Sequence, residues 1–348
     1  MTKKKGSKKK LRVVMLADES LLPDGELKDF SEKQRELRKT EFDVRDAIEA
    51  LGHDVFSIGV SDDLSTIRGA IDAHKPDIAF NLLEEFAGIG HFDQHVVSYL
   101  ELRKQPYTGC NPRGLTLARD KALTKKILAF HGLKVPGFAT FPKRRAAKRP
   151  ETLAFPLFVK SLTEEGSVGI SGASIVHDDS KLKERVEFIH RTTNSTALAE
   201  QFIEGREIYV GVMGNERVTT LPAWEFAMTK KEEGSPLIAS DRAKWDPRYQ
   251  RHIGLKTGPA ELSKKMQSKL ADLSKKIYRL LGMSGYARLD YRVTEDDEAY
   301  LLEANPNPQI AKDEDFALSA NHMGIAYPEL IEKLIQFGIR YVPYRIIG

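Results

Sequence analysis

The sequence predicts an α/β fold, opened by a parallel sheet and closed by a strand hairpin, and three observations carry that expectation. Between residues 11 and 81, short apolar strands alternate with helix-compatible runs, the pattern of an open parallel sheet. Between residues 155 and 224, strands recur around turns and a Gly/Ser-rich loop. From Gly285 to Pro308, two further strands flank an acidic turn. At 348 residues the chain has room for two or three domains with ample core.

In order, Leu11 to Ala17 (LRVVMLA) is a strand. Ser31 to Leu51 is a charged helix with Leu37, Val44, Ile48 and Leu51 at near-helical spacing, stopped by Gly52. Asp54 to Ile58 is a strand, Leu64 to His74 a helix that ends before Pro76, and Asp77 to Asn81 a third strand. Ligands of open parallel sheets sit at the carboxyl ends of the strands, so the expected mouths are Asp18–Glu19 and Asn81–Gly90. The second mouth carries Glu84, Glu85, His91, Asp93 and His95. His91 and His95 share a helix-face spacing but have no third ligand spaced to close a metal site. A polar, substrate-lining helix start and a plain solvated one both fit this loop.

Leu115 to His131 is a helix bearing Lys121, Lys125 and Lys126, stopped by Gly132. One such lysine can reach a phosphate, and the others are expected in solvent. The run Lys143 to Pro150 is a basic surface loop. FPLFVK is a strand ending at Lys160, followed by SLTEEGSVGIS, whose backbone N–H groups and hydroxyls suit phosphate but equally suit a hairpin turn. It lacks the GKS or GKT of a P-loop. Leu182 to His190 is helical, Ala197 to Phe202 and Glu207 to Gly211 are strands, and the strand pattern continues through Val218 to Trp224. Ser240 to Lys256 has no clear period and reads as loop. Lys264 to Leu281 is an amphipathic helix and Tyr327 to Phe337 a closing one.

The hairpin is the most informative stretch. With its turn centred on Asp296–Asp297, Asp290 pairs with Glu303 and Arg288 with Asn305. One face then presents Arg288, Asp290, Glu303 and Asn305, and the other Leu289, Tyr291, Leu302 and Ala304. Two carboxylates and an amide oxygen are hard ligands suited to Mg²⁺, and an arginine beside them suits a phosphoryl or tetrahedral oxyanion. A solvated sheet face with an Arg–carboxylate pair is the competing reading of the hairpin alone.

Composition bounds the function. The chain is 41% hydrophobic and 30% charged, and no apolar run approaches the roughly 20 residues of a membrane span. The basic start lacks the apolar core of a signal peptide. The single Cys110 excludes an internal disulfide and fits a reducing, cytoplasmic location. The net charge of +4 includes six lysines in residues 1–10, so the remainder sums to 4 − 6 = −2. Those ten residues are expected to be a disordered Lys-rich tail without the aromatic interleaving of a nucleic-acid binder. Neither nucleic acid nor membrane is an expected partner.

Four segments in fixed order, YTGCNP…ARDKALTK, FPLFVKSLTEEGSVGIS, EQFIEGREIYVGVMGN and ARLDYRV…YLLEANPNP, resemble the ATP-grasp superfamily, and within it the D-alanine–D-alanine ligase-like branch. The resemblance spans residues 11–340 and implies an ATP-grasp fold with an N-terminal open parallel-sheet domain at 11–118, a central subdomain at 119–202 and a metal-bearing C-terminal domain at 203–348. It implies an ATP-dependent carboxylate–amine ligase acting through an acyl phosphate, with ATP and two Mg²⁺ ions (Mn²⁺ as a substitute), on small-molecule amino-acid or amine substrates. Relatives of this kind are often homodimers, though no interface is readable.

By the same resemblance, Lys121 and Lys160 hold nucleotide phosphates, and Ser167 and Gly169 lie in the loop that closes over them. Glu200, Gln201 and Ile203 contact adenine, Glu207 the ribose, and Lys244 the γ-phosphate. Asp290, Glu303 and Asn305 match the metal ligands, and Arg288 the arginine of the tetrahedral intermediate. Catalytic roles fall to Arg288, Lys244 and Ser167.

The substrate half departs from the pattern. ADESLLPDGE offers only Glu19 where D-alanine ligases carry a Gly-rich, Glu-containing loop, and NLLEEFAGIGH replaces a shorter one. Gly166 and Trp245 stand where a serine and a tyrosine position the substrate, and Glu314 and Asp315 stand at a Ser-Leu pair. The expected product is therefore not D-alanyl-D-alanine. Glu84, Glu85, Glu314 and Asp315 suggest an acidic pocket for a cationic or polyamine-like amine. A true D-alanine–D-alanine ligase, a peptide- or protein-terminus ligase and a non-catalytic ATP-binding regulator are the alternatives.

Overall fold

The computed structural model describes residues 9–164, 169–230 and 247–343. The first part of the chain runs β1 (Arg12–Asp18), α1 (Glu32–Ala50), β2 (Asp54–Val60), α2 (Leu64–His74), β3 (Ile78–Asn81) and α3 (Asp93–Leu102). Then follow α4 (Pro112–Arg119), α5 (Lys121–Phe130), β4 (Phe138–Phe141), β5 (Leu157–Ser161), β6 (Ile175–Val176), α6 (Asp179–Thr193) and β7 (Ala197–Gln201). The remainder is β8 (Arg206–Gly214), β9 (Val218–Thr220), β10 (Trp224–Met228), α7 (Pro247–Ile253), β11 (Leu255–Pro259), α8 (Lys264–Leu280), β12 (Tyr286–Val293), β13 (Ala299–Pro306), α9 (Asp315–His322) and α10 (Tyr327–Arg340).

Two compact units result, one of Met1–Pro112 with Gln309–Gly348 and one of Arg113–Pro308. The expected 203–348 segment is thus divided, and its described residues from 309 to 343 fall in the unit of the N-terminal sheet.

In the first unit, β2, β1 and β3 form a parallel sheet with β1 central. Val13 to Ala17 are fully buried, which is why this strand reads as an unbroken apolar run rather than an alternating one. Ser31 and Gln34 form a capping box that starts α1, and Gly52, at φ +82°, follows its end. α10 buries Leu330, Ile331, Leu334 and Ile335, each worth about 1.5–3 kcal/mol. Its Gly338 lies against the Tyr107 carbonyl so closely that a Cβ would overlap it. That carbonyl is held in place because residues 106–108 bond to both sides of Ala79 in β3.

α1 also buries Glu41, 5% exposed, with one carboxylate oxygen unpartnered among the described residues. Burial pushes its carboxyl up to about 8; its own backbone N–H and Arg38 oppose the shift, and Glu84 and Asp18 add to it.

The second unit carries two antiparallel sheets. One has the order β4-β7-β5-β6, and the other β11-β10-β8-β12-β13 with β9 on β8. The single helix expected over 115–131 is broken at Asp120, which leaves helical geometry and caps α5 by accepting the Leu123 N–H at 2.8 Å. Part of the stretch expected as loop over 240–256 is ordered: α7 leads into β11, which pairs with β10, while residues 240–246 lie outside the described ones. Among the described residues, no helix is long and apolar enough to cross a membrane.

Candidate active site

The hairpin β12–β13 pairs Asp290 with Glu303 and Arg288 with Asn305, as expected, but by a different route. Near the turn, Val293 pairs with Ala299 and Tyr291 with Leu301, so the turn centres on Asp296 alone. A β-bulge between Tyr291 and Asp290 absorbs one extra residue, Leu302, and restores the register at the site. Leu302 therefore does not share the buried face of Leu289 and Ala304. It lines the cleft with Glu303, and its carbonyl is turned to accept from Lys125.

β8 runs antiparallel on the other side of β12 and sets Glu207 opposite Arg292 and Tyr209 opposite Asp290. The resulting face is a ladder of charge-assisted contacts. Arg292 Nη2 donates to Glu207 Oε2 at 2.9 Å, and Tyr209 Oη donates to Glu207 Oε1 at 2.8 Å. The Arg288 guanidinium lies 4.5 Å over the Tyr209 ring and bonds both oxygens of Asp290, at 2.8 and 3.0 Å. Asn305 Nδ2 donates to Asp290 Oδ2 at 2.9 Å.

The other sheet and α5 supply the lysines. Lys121 and Lys125, four residues apart, share one face of α5. Lys121 Nζ is 2.9 Å from Glu303 Oε1 and donates to the Glu164 carbonyl at 2.7 Å. Glu200 on β7 lies between two cations: Lys125 Nζ is 3.0 Å from Oε1 and Lys160 Nζ 3.3 Å from Oε2. All three lysines and Glu200 are buried. Burial alone would depress the Lys160 ammonium, but Glu200, Glu303 and Asp290 outweigh it and hold its pKa above the ordinary lysine value. For Lys125 the loss of hydration wins over Glu200, and its pKa falls below that value.

Both sheets line one cleft, Phe158, Lys160, Glu200, Gln201 and Ile203 from one side and Glu207, Tyr209, Asp290, Arg292 and Glu303 from the other. Of the residues singled out in the sequence, Lys160, Glu200, Gln201, Ile203, Glu207, Asp290 and Glu303 line it, with Lys121, Arg288 and Asn305 bonded to its carboxylates. Gly169, at φ +73°, uses its carbonyl to accept from Arg185. Ser167, Lys244, Gly166 and Trp245 lie outside the described residues.

The five candidates for substrate belong to the other unit. Glu19, Glu84 and Glu85 are exposed. Glu314 does not offer a spare carboxylate: it is paired with Lys39 at 2.6 Å, and Asp313 joins at 3.3 Å. Asp315 sits in the first turn of α9. Among the described residues, no group of three or more His, Cys, Asp or Glu is arranged to hold a metal ion.

Sequence reasoning missed Tyr209, Arg292 and the buried role of Lys125. The signals were present: Tyr209 is two residues from Glu207 on one strand face, and Lys125 one helical turn from Lys121.

Two antiparallel sheets close one charged cleft between them, the architecture of the ATP-grasp ligases. The family described as "D-ala D-ala ligase C-terminus" matches residues 126–336, and the chain belongs to that family. It is 32% identical over 278 residues to an uncharacterised protein, y4sG, of Sinorhizobium fredii, covering 79% of each. It is 31% identical over 298 residues to a D-alanine–D-alanine ligase of Syntrophotalea carbinolica, covering 84% of this chain and 88% of the relative. Its fold matches the crystal structure of the Bacillus anthracis D-alanine–D-alanine ligase complexed with ATP at TM-score 0.72, with 22% identity, over 95% of this chain and 98% of that one.

Proposed function

We propose that the protein couples ATP cleavage to amide-bond formation between two small molecules, at least one of them not D-alanine. The observation that carries this reading is the ordered run of charges across one cleft, from Glu207 through Asp290 and Glu303 to Lys121, Lys160 and Glu200.

In this reading Glu200, Gln201 and Ile203 meet the adenine, Glu207 the ribose, and Lys121 and Lys160 the phosphates. Ser167 and Lys244 complete the phosphate contacts by resemblance. The donor set of Asp290, Glu303 and Asn305 fits Mg²⁺, because its groups offer hard oxygens, with Asp290 and Glu303 at register-opposed positions and Asn305 two residues further along the strand of Glu303. Two such ions, when bound there, would neutralise charge on the phosphoryl group being transferred. A substrate carboxylate accepts that group, and the amine then displaces phosphate from the acyl carbon. Arg288 donates to the tetrahedral oxyanion, which requires its guanidinium to share or leave Asp290.

With Glu314 paired to Lys39, a preference for a cationic amine rests on Glu84, Glu85 and Asp315. A cytoplasmic setting and a homodimer accord with this reading.

The test is to incubate the protein with ATP, Mg²⁺ and pools of L- and D-amino acids, polyamines and dipeptides, following phosphate release and product mass. A condensed mass with stoichiometric phosphate supports the proposal. A second reading, D-alanine–D-alanine ligation, draws on the relatives that bear that name. Formation of D-alanyl-D-alanine from D-alanine alone would establish it and overturn the first.

A further inference from the structure

Lys125 has no role in the chemistry above, yet it is 1% exposed and placed behind the cleft rather than on its wall. A buried ammonium is costly unless it is paired: Lys125 donates a hydrogen bond to the Leu302 carbonyl at 2.7 Å and makes an ion-pair contact with Glu200 Oε1 at 3.0 Å. Lys160, which does line the cleft, holds the other oxygen of Glu200 more loosely, at 3.3 Å. Two cations thus divide one anion. The two ammonium groups and Glu200 sum to one positive charge, and the cation that faces the cleft is the one farther from Glu200, with Glu303 and Asp290 as its other carboxylate neighbours.

We propose that Lys125 is a positioning residue: by taking one oxygen of Glu200, it prevents that carboxylate from closing on Lys160 and leaves the Lys160 ammonium available to an anionic group in the cleft. Without Lys125, Glu200 would be a whole counter-charge for Lys160, and a phosphate would have to compete with it. The inference rests on reading the cleft as a nucleotide site.

The test uses the full chain in EDTA, so that no metal bridges the phosphates and Glu303 and Asp290 act on Lys160 alike in every variant, and measures ADP and adenosine binding by calorimetry. Lys125→Met should weaken ADP by about tenfold and adenosine by clearly less, about threefold at most, because the phosphates need Lys160 while Gln201 and Ile203 still meet the adenine. Adding Glu200→Gln removes the competing charge, so the double variant should bind ADP within about threefold of Glu200→Gln alone. That comparison still decides the matter if Lys125→Met by itself fails to fold. Equal losses for ADP and adenosine, no loss of either, or a tenfold loss that persists alongside Glu200→Gln would each overturn the proposal. A wild-type chain that binds neither ligand would overturn the nucleotide reading instead.

Discussion

Glu41 sets up a pH dependence of stability that a single substitution should abolish. Its carboxyl is 5% exposed and has one oxygen without a partner, and its pKa rises from 4.5 in the free residue to about 8 in the fold. The folded state then holds this proton more tightly than the unfolded state. Stability from this group is fully present below pH 4.5 and is lost as pH rises toward 8, where the folded state must ionise as well. The shift is 8 − 4.5 = 3.5 pH units. At about 1.36 kcal/mol per unit, this is about 5 kcal/mol between the two limits, about two-thirds of it already spent by pH 7. Asp18 and Glu84 steepen the effect and Arg38 tempers it.

Glu41→Gln cannot titrate. The assay is urea unfolding of both proteins by far-ultraviolet circular dichroism at pH 5, 6, 7, 8 and 9. Any fixed cost of the buried amide drops out of the difference between the curves. The variant should gain on the wild type by several kcal/mol from pH 5 to pH 8, then hold level. Curves that stay parallel to within about 1 kcal/mol would show that Glu41 is not a buried carboxyl of this kind.

Two further outcomes follow from the geometry. Arg288→Met should lower kcat by about 10²–10³ with little change in nucleotide affinity, since its guanidinium serves a charge that develops during reaction; an equal rise in nucleotide Kd would refute that role. Gly338→Ala should lower the unfolding midpoint by an amount worth about 1–3 kcal/mol, because the new methyl meets the Tyr107 carbonyl, which β3 holds fixed; unchanged unfolding would mean the helix can shift aside.

Much of this fold was legible where local chemistry decides it. The Ser31–Gln34 capping box, the apolar run Val13–Ala17 and the amphipathic face of α8 each announce one element without help from the rest of the chain. The break at Asp120 was harder, because aspartate suits both a helix surface and an N-cap and only the observed backbone separates them. Strand β11 carries no alternating burial, so its period is silent in the sequence; pairing with β10 creates it. In the site, the residue types of the hairpin pointed to its chemistry. Ion-pair partners did not: nothing local says that Glu314 is claimed by Lys39, or that Glu200 is divided between Lys125 and Lys160. Those pairings join residues from tens to hundreds of positions apart and exist only once the chain has folded.

The bulge at Leu302 makes the hairpin tolerant at one end and exacting at the other. Because the extra residue lies between turn and site, it works as a phase joint. The loop from Thr294 to Glu298 can change length, or be replaced by any turn that fits Val293 and Ala299, without altering which way Asp290 and Glu303 point. Deleting Ala304, inside the site, has no such freedom. It would make Asn305 the direct neighbour of Glu303 and, by strand alternation, turn one of the two toward the apolar face. Lineages of this fold can therefore be expected to vary in the turn while preserving strand parity, and a loop graft here is a natural place to attach a reporter.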